Sequence, residues 1–466
     1  MTGRSERFIW KMDGSIFKAY DIRGIVPDEL NTGTARAIGA GFGAFIGGGD
    51  VVVGQDMRET SPELVAAFIE GLNSQGVGVV EIGLCSTDML YFASGVFDLP
   101  GAMFTASHNP AQYNGIKLCN RGAAPISSDS GLSEIRELAI EFSEGRLSIS
   151  GSLIRNRKED ILDRFVSHVH SFIDIDNLRP LSVVADTANG MGGLVVPATF
   201  EALPFKLKVL YPELDGSFPN HPADPIQPEN LVDLKATVLA ERADVGLAFD
   251  GDADRVFLVD DKSAPLSGSL TTSLVAKALL DRNPGSTVLY NLICSKAVPE
   301  LITKANGKPI RTRVGHSFIK ARMAETGAVF GGEHSGHYYF RDNYRADSGM
   351  IAALTVLQVV SNSDVPLSKL REPLELYSDS GEVNTKVRDS GKVIAFIENA
   401  YSDRGEMDRL DGLTVDLGDW WFNVRPSNTE PLLRLNLEAR NSVEVASKLS
   451  EVLAVISKAD SGSEAK

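Results

Sequence analysis

Cysteine is scarce in this chain. Its 466 residues contain three, Cys85, Cys119 and Cys294, far apart and without a C-x-x-C pair. Neither a disulfide framework nor a cysteine zinc site is expected, and a reducing compartment fits. Long apolar runs are missing too. Nothing approaches the ~20 consecutive apolar residues of a membrane-spanning helix, and Met1–Lys11 carries mixed charge without the apolar stretch of a signal peptide. The expected location is the cytoplasm. Positive charge is in deficit, with 46 Lys and Arg against 62 Asp and Glu and a net charge of −16. So acidic a chain repels a nucleic-acid backbone or an anionic membrane surface, and neither is an expected partner. A small anionic substrate stays open to it, provided its site is locally basic.

What is present is ordinary globular composition, 43% hydrophobic and 23% charged, on a chain long enough for three or four domains of ~100–150 residues. Val51-Val52-Val53, Ser182-Val183-Val184-Ala185 and Thr287-Val288-Leu289-Tyr290 are β-branched or apolar runs, each followed by a helical pattern. Their recurrence predicts three related α/β units with helix-covered, largely parallel sheets. In the first, Ser61 is the expected N-cap, with Pro62 at the first helical position. From about Pro373 short strand candidates and two helices, near Lys392–Tyr401 and Val443–Ser457, predict a smaller α+β domain. The expected divisions are residues 1–150, 151–262, 263–372 and 373–466. Gly39, Gly41 and Gly43 lack G-x-G-x-x-G spacing and a preceding strand, so they are read as close helix packing rather than a dinucleotide fingerprint.

Four segments carry chemistry. In Thr105-Ala106-Ser107-His108-Asn109-Pro110, followed by Asn114-Gly115-Ile116-Lys117, an exposed serine lies among donors with a cation ten residues on. It needs a base or a metal to become a nucleophile; a simple turn is the competing reading, and no G-x-S-x-G elbow surrounds it. In Asp250-Gly251-Asp252-Ala253-Asp254-Arg255, three carboxylates at alternate positions repel one another unless a cation sits between them, and oxygen ligands of this kind suit Mg²⁺. An EF-hand is excluded because Arg255 stands at its glycine position and Asp261 at its terminal glutamate. In Gly331-Gly332-Glu333-His334-Ser335-Gly336-His337, Glu333, Ser335 and His337 offer acceptors and donors to a polyol. In Arg425-Pro426-Ser427-Asn428-Thr429-Glu430-Pro431, a guanidinium and small polar donors match phosphate oxygens. Among the other histidines, His168 and His170 are read as solvated and His221 as unpartnered, while His316 is balanced between a catalytic and a structural role. Asp56 and Arg58 are read as a structural pair at a strand end.

In order and wording these segments, with Lys18-Ala19-Tyr20-Asp21-Ile22-Arg23-Gly24 upstream, resemble the α-D-phosphohexomutase superfamily, in particular its phosphomannomutase/phosphoglucomutase branch. The resemblance runs nearly end to end. It implies three α/β domains with mixed, helix-covered sheets and a smaller C-terminal domain around a central cleft, each lending one loop. It implies that Ser107 is the phosphoserine and that Asp250, Asp252 and Asp254 bind Mg²⁺ together with the phosphate on Ser107. Glu333 and Ser335 would read sugar hydroxyls, and Arg425, Ser427, Asn428 and Thr429 would hold the non-reacting phosphate. Tyr20, Arg23, Lys117, Arg255, His316 and His337 match family positions around the reacting end. Lys117 and His316 are the expected proton carriers, and Arg23 and Arg255 would steady phosphate charge. The partners implied are sugar phosphates, with hexose 1,6-bisphosphate as activator; monomer and homodimer both stay open. Mannose phosphate is the preferred substrate and glucose phosphate an accepted one. Phosphoglucosamine mutase is the alternative, disfavoured because those relatives usually have Gly where this chain has Asn428. A lysine of some relatives near Ile293 is missing, with Lys296 close by. A phosphatase and a non-catalytic sugar-phosphate binder are the rivals from other classes.

Overall fold

The computed structural model describes residues 12–148, 154–426 and 432–461, with the backbone but not the side chain of His316. Three of its four sheets share one wiring. In the first, strands Asp50–Gln55, Gly78–Leu84 and Gly101–Phe104 run parallel, and Tyr113–Asn120 returns antiparallel beside Gly101–Phe104. The second repeats this with Ser182–Asp186, Lys206–Leu210, Val245–Phe249 and Val256–Asp260. The third repeats it with Thr287–Asn291, Lys308–Thr312, Phe330–Gly332 and Tyr338–Phe340. Parallel neighbours require crossovers, which the helices supply, whereas an antiparallel return needs only a short loop. Each unit therefore has a single tight connection between its third and fourth strands. The sheets are mixed rather than largely parallel because of that return. The first sheet is extended by Ile22–Ile25 and Ala124–Pro125 on one side and by Asn156–Lys158 on the other.

Burial follows the pattern of a sheet covered on both faces. All five residues of Val245–Phe249 and of Val256–Asp260 are buried. One apolar core runs through the three units, joining Val52 and Met103 to Val183 and Phe249 and on to Phe330 and Met350. Glycine permits the closest helix contacts. In helix Thr32–Ile46 a Cβ on Gly39 would lie 2.1 Å from the Phe68 carbonyl oxygen, and one on Gly41 2.7 Å from that of Ile135. Cys85, Cys119 and Cys294 are free and buried.

The last domain has its own core, built on Ile397, Tyr401, Phe422 and Leu435. Its antiparallel sheet runs in the order Ser378–Lys386, Leu432–Ala439, Trp421–Pro426, Leu413–Asp416 and Glu406–Asp408, with helices Ser390–Tyr401 and Ser442–Asp460 alongside. Several polar contacts tie it to the third unit. Lys296 Nζ meets Asp416 Oδ1 at 2.7 Å, the Lys296 backbone N–H donates to Glu438 Oε1 at 2.9 Å, and Tyr377 Oη donates to Glu300 Oε1 at 2.7 Å. Lys296 is thereby committed to this joint.

Several local expectations need correction. Ser61 begins helix Ser61–Ser74 rather than capping it, since its hydroxyl donates to Asp56 Oδ1 at 2.8 Å. His168 and His170 are not solvated: His168 stacks on Phe92 at 4.8 Å and reaches Asn343 Oδ1 at 2.9 Å, and His170 reaches the Thr199 carbonyl at 2.7 Å. Tertiary packing of their short helix overrides its polar appearance. His221 also has a partner, with Nε2 3.1 Å from Asp186 Oδ2.

Candidate active site

The repeated wiring carries the chemistry. Ser107 lies in the third-to-fourth-strand loop of the first unit, the Asp250–Arg255 segment in that of the second, and Glu333–His337 in that of the third. Arg425 is the next-to-last residue of strand Trp421–Pro426, near the corresponding antiparallel return of the last domain. Ser427, Asn428 and Thr429 lie outside the described residues, as does the His316 side chain.

Ser107 takes a left-handed backbone conformation, φ 49°, that few non-glycine residues adopt. Its backbone N–H donates to Thr105 Oγ1 at 2.9 Å, and its carbonyl accepts from Arg58 Nη2 at 2.9 Å. Arg58, 1% exposed, spends its whole fork on this loop. Its Nη atoms also donate to the carbonyls of Asn109 at 2.7 Å and of Pro110 and Tyr113 at 2.9 Å, while Nε pairs with Asp56 Oδ2 at 3.1 Å. The Ser107 hydroxyl is thereby aimed across the unit boundary, donating to Asp250 Oδ2 at 2.8 Å. His108 Nδ1 lies 3.2 Å from the same hydroxyl, and burial, with Arg255 and Arg23 nearby, holds that imidazole well below its ordinary pKa.

Asp250, Asp252 and Asp254 are essentially fully buried, and oxygens from all three lie within 4.8 Å of one another. Burial pushes Asp250 up to about 8, with the neighbouring carboxylates adding to it and Arg255 opposing. Burial likewise raises Asp254, with Asp252 adding to it. Asp252 moves the other way: burial would raise it, but the Lys117 ammonium and a hydrogen bond from Thr87 outweigh that cost. Lys117 Nζ lies 2.7 Å from Asp252 Oδ2 and 2.6 Å from Asp254 Oδ2. Burial works against the ammonium, and the two carboxylates more than compensate, holding Lys117 well above its usual range. Asp252 Oδ1 and Asp254 Oδ1 have no hydrogen-bond partner among the described residues. A buried oxygen costs free energy when unpaired, so these acceptors beside a third carboxylate fit a small hard cation. Two donors are left over as well. Arg255 pairs through Nε with Asp250 Oδ2 at 2.9 Å, while its Nη2 and Arg23 Nε are buried without a hydrogen-bond partner among the described residues. Arg23 Nη1 bonds Asn109 Oδ1, and Nη2 pairs with Asp21 at 2.5 Å.

The third loop faces the same space. Glu333 is 3% exposed and accepts from Tyr339 Oη at 2.7 Å and from the Gly315 backbone N–H at 3.1 Å. Ser335 Oγ lies 3.2 Å from His337 Nδ1, and His337 Nε2 lies 3.8 Å from Asp254 Oδ1. Tyr20 packs edge-on against Phe318 with centroids 6.1 Å apart; burial raises its pKa, with Asp411 adding to it. Arg425 is buried, with its fork on Asn436 Oδ1 at 2.8 Å and Glu382 Oε2 at 2.5 Å. Burial lowers its pKa against the pull of Glu382.

Thus Ser107, Lys117, Arg23, Arg255 and the three aspartates meet at one point, with His337 at its rim. Four segments match the phosphoglucomutase/phosphomannomutase description: alpha/beta/alpha domain I at 14–144, domain II at 163–263, domain III at 267–377 and the C-terminal domain at 382–455. The chain belongs to the phosphoglucomutase/phosphomannomutase family. It is 40% identical over 435 residues to a phosphomannomutase of Escherichia coli K12, covering 92% of this chain and 95% of that one. It is 41% identical over 428 residues to a Xanthomonas campestris protein described as phosphohexose mutases, covering 91% and 95%. A solved family protein from Burkholderia thailandensis superposes with a TM-score of 0.89 at 32% identity, over 97% of this chain and 99% of that one. The family is one of phosphate-transferring mutases, and this chain is such an enzyme.

Arg58, Thr87 and His108 belong to this site although sequence reasoning gave them no role in it. Thr87 Oγ1 donates to Asp252 Oδ2 at 2.5 Å from a helix 165 positions away in sequence. Such a partner is invisible until the units are docked. For Arg58 the signal was half visible: its pairing with Asp56 was expected, but not the four carbonyls it also holds.

Proposed function

We propose that this enzyme interconverts hexose 6-phosphate and hexose 1-phosphate, preferring mannose and accepting glucose, by way of phosphorylated Ser107 and a hexose 1,6-bisphosphate. The observation that carries this reading is the Ser107 hydroxyl, 2.8 Å from Asp250 Oδ2 beside a cluster of buried carboxylates. Ser107, Asp250, Asp252 and Asp254 would hold Mg²⁺, which supplies charge neutralisation to phosphoryl oxygens when bound. Arg255 and Arg23 each keep one buried nitrogen unspent, and we assign both to the oxygens of the transferring group. Lys117 stays protonated while it rests on Asp252 and Asp254, so it serves first as a proton donor; His316 is the second proton carrier.

Phosphoserine donates its phosphoryl group to the free hydroxyl of the bound monophosphate, forming the bisphosphate, and Ser107 Oγ later takes back the other phosphate. Glu333 and Ser335 read hydroxyls of the sugar in both orientations, with Tyr20 and His337 at the reacting end. Arg425, Ser427, Asn428 and Thr429 hold the phosphate that is not reacting, which requires Glu382 to leave Arg425. The last domain, with its separate core, is the part that moves. The domain limits 1–150, 151–262, 263–372 and 373–466 belong to the same proposal, supported by the second, third and fourth sheets, which each stay within one division, whereas strand Asn156–Lys158 joins the first sheet from just beyond residue 150. The test is ³¹P NMR with Mg²⁺, a trace of glucose 1,6-bisphosphate and mannose, glucose or glucosamine 1-phosphate. A 6-phosphate signal without inorganic phosphate is expected, fastest with mannose. Inorganic phosphate alone would make the protein a phosphatase.

A further inference from the structure

A buried cation stands behind the third loop with no part in the scheme above. Lys320 lies in helix His316–Thr326, is 2% exposed, and places its Nζ 2.9 Å from Asp347 Oδ1. The same ammonium sits 3.8 Å from the ring centroid of Tyr91, contributed by the first unit, and 5.8 Å from that of Tyr339. Burying an ammonium and a carboxylate is expensive, and a well-packed apolar pair is commonly as stable or more so. Core stability alone therefore gives no reason for a lysine here. The reason lies on the far side of Asp347. Its Oδ2 is 3.9 Å from His337 Nε2, the atom that also faces Asp254 Oδ1 at 3.8 Å. On its other edge, His337 Nδ1 meets Ser335 Oγ at 3.2 Å and Glu333 Oε2 at 3.9 Å. The imidazole is thus suspended between a sugar-reading pair and two carboxylates, one belonging to the metal loop.

We propose that Lys320 is a positioning residue that, through Asp347, fixes the His337 imidazole against the metal loop. Lys320 forms an ion pair with one oxygen of Asp347 and offsets its charge, while the other oxygen faces the ring. Without Lys320, the charge of Asp347 is uncompensated on that side, and the electrostatic setting of the ring's Nε2 changes. This rests on the functional reading above for what His337 does, but not for where it is held.

The test uses the full-length protein with Mg²⁺, labelled with ¹⁵N-histidine, in wild-type, K320M, D347N, H337N and K320M/H337N forms. The His337 ring resonances, assigned by their loss in H337N, are expected to move in both K320M and D347N, while those of His221 stay in place. With hexose phosphate, K320M is expected to lower kcat at least tenfold with KM changed less than threefold, and to add nothing in the H337N background. D347N keeps the side-chain volume and carries the test if K320M misfolds. Unmoved His337 resonances in the folded variant, or a K320M loss that persists undiminished on H337N, would overturn the proposal and leave Lys320 a packing residue. A wild-type protein that fails to isomerise any hexose phosphate would refute the functional reading alone, because the resonances report the positioning directly.

Discussion

Replacing Arg58 by lysine tests whether the serine loop is held or merely folds. All five guanidinium N–H groups are used: one on Asp56, and four on the carbonyls of Ser107, Asn109, Pro110 and Tyr113. Lysine has three donors in a different geometry, so at least two acceptors lose their partner. A buried acceptor left unsatisfied costs about 1–3 kcal/mol, which sets a scale of about 2–6 kcal/mol. The loop escapes most of that cost by opening to water, because the strands on either side are paired independently of it. The penalty then falls on the geometry of Ser107, whose φ of 49° is maintained only while the loop is closed. Misplacing a reacting atom by about 1 Å can cost about 10²-fold in rate. We therefore expect R58K to lower kcat about 10²-fold with KM for hexose phosphate nearly unchanged, since none of the proposed sugar or phosphate readers touches Arg58. A ³¹P NMR time course gives both constants, and thermal unfolding shows whether the rest of the fold is intact. An R58K enzyme with wild-type kcat would refute the claim that Arg58 holds the nucleophile in place.

Three further outcomes follow from the site. S107A should lose turnover by on the order of 10³-fold or more, while calorimetry still detects hexose phosphate binding; retained turnover would remove Ser107 from the cycle. Mg²⁺ should raise the midpoint of thermal unfolding, by a stabilisation of about 2.7 kcal/mol at a hundredfold excess over its dissociation constant, and D252N should abolish that response. Asp88, fully buried and bonded to Ser86 and Ser348, is pushed by burial from 3.8 to about 7. A carboxyl raised on folding stabilises the protein while it stays protonated, and that contribution is lost as pH climbs from about 4 through about 7. At about 1.4 kcal/mol per pH unit the loss amounts to about 4 kcal/mol. D88N should therefore match wild type in urea unfolding near pH 4 and exceed it by a growing margin up to about pH 7, where the difference levels off; equal slopes with pH would show that Asp88 is ionised throughout.

The sites that could be read from sequence were those whose chemistry is contiguous. Asp250, Asp252 and Asp254 sit on one short loop between two β-branched strands, so crowding alone announced a cation, and Ser107 came with His108 and Asn109 beside it. The strand runs Val245–Phe249 and Val256–Val259 were equally plain, because buried strands are continuously apolar. What could not be read was everything that depends on docking one unit against another. Lys117 reaches Asp252 from 135 positions away, and Lys320 meets Tyr91 only after the third unit packs on the first. The solvated reading of His168 failed for the same reason: its stacking partner Phe92 belongs to another unit. Arg425 was read as a guanidinium for phosphate, and its present partner Glu382, 43 positions earlier, could not be foreseen.

The repeated wiring explains why these loops converge. In each of the first three units the third strand ends in a tight antiparallel return, the one connection that carries no helix. Such a loop can leave the sheet edge without uncovering apolar surface, so its residues are free to be polar. It is also anchored by paired strands on both sides, with Phe104 opposite Ile116, Phe249 opposite Val256 and Gly332 opposite Tyr338. Close approach between the loops demands small residues where they touch: a Cβ on Gly251 would lie 2.4 Å from the Ser107 carbonyl oxygen. A side chain at residue 251 would push the serine loop from the aspartate loop and lengthen the 2.8 Å contact between Ser107 and Asp250. The glycine between two aspartates is therefore a requirement of the close contact between the serine loop and the aspartate loop.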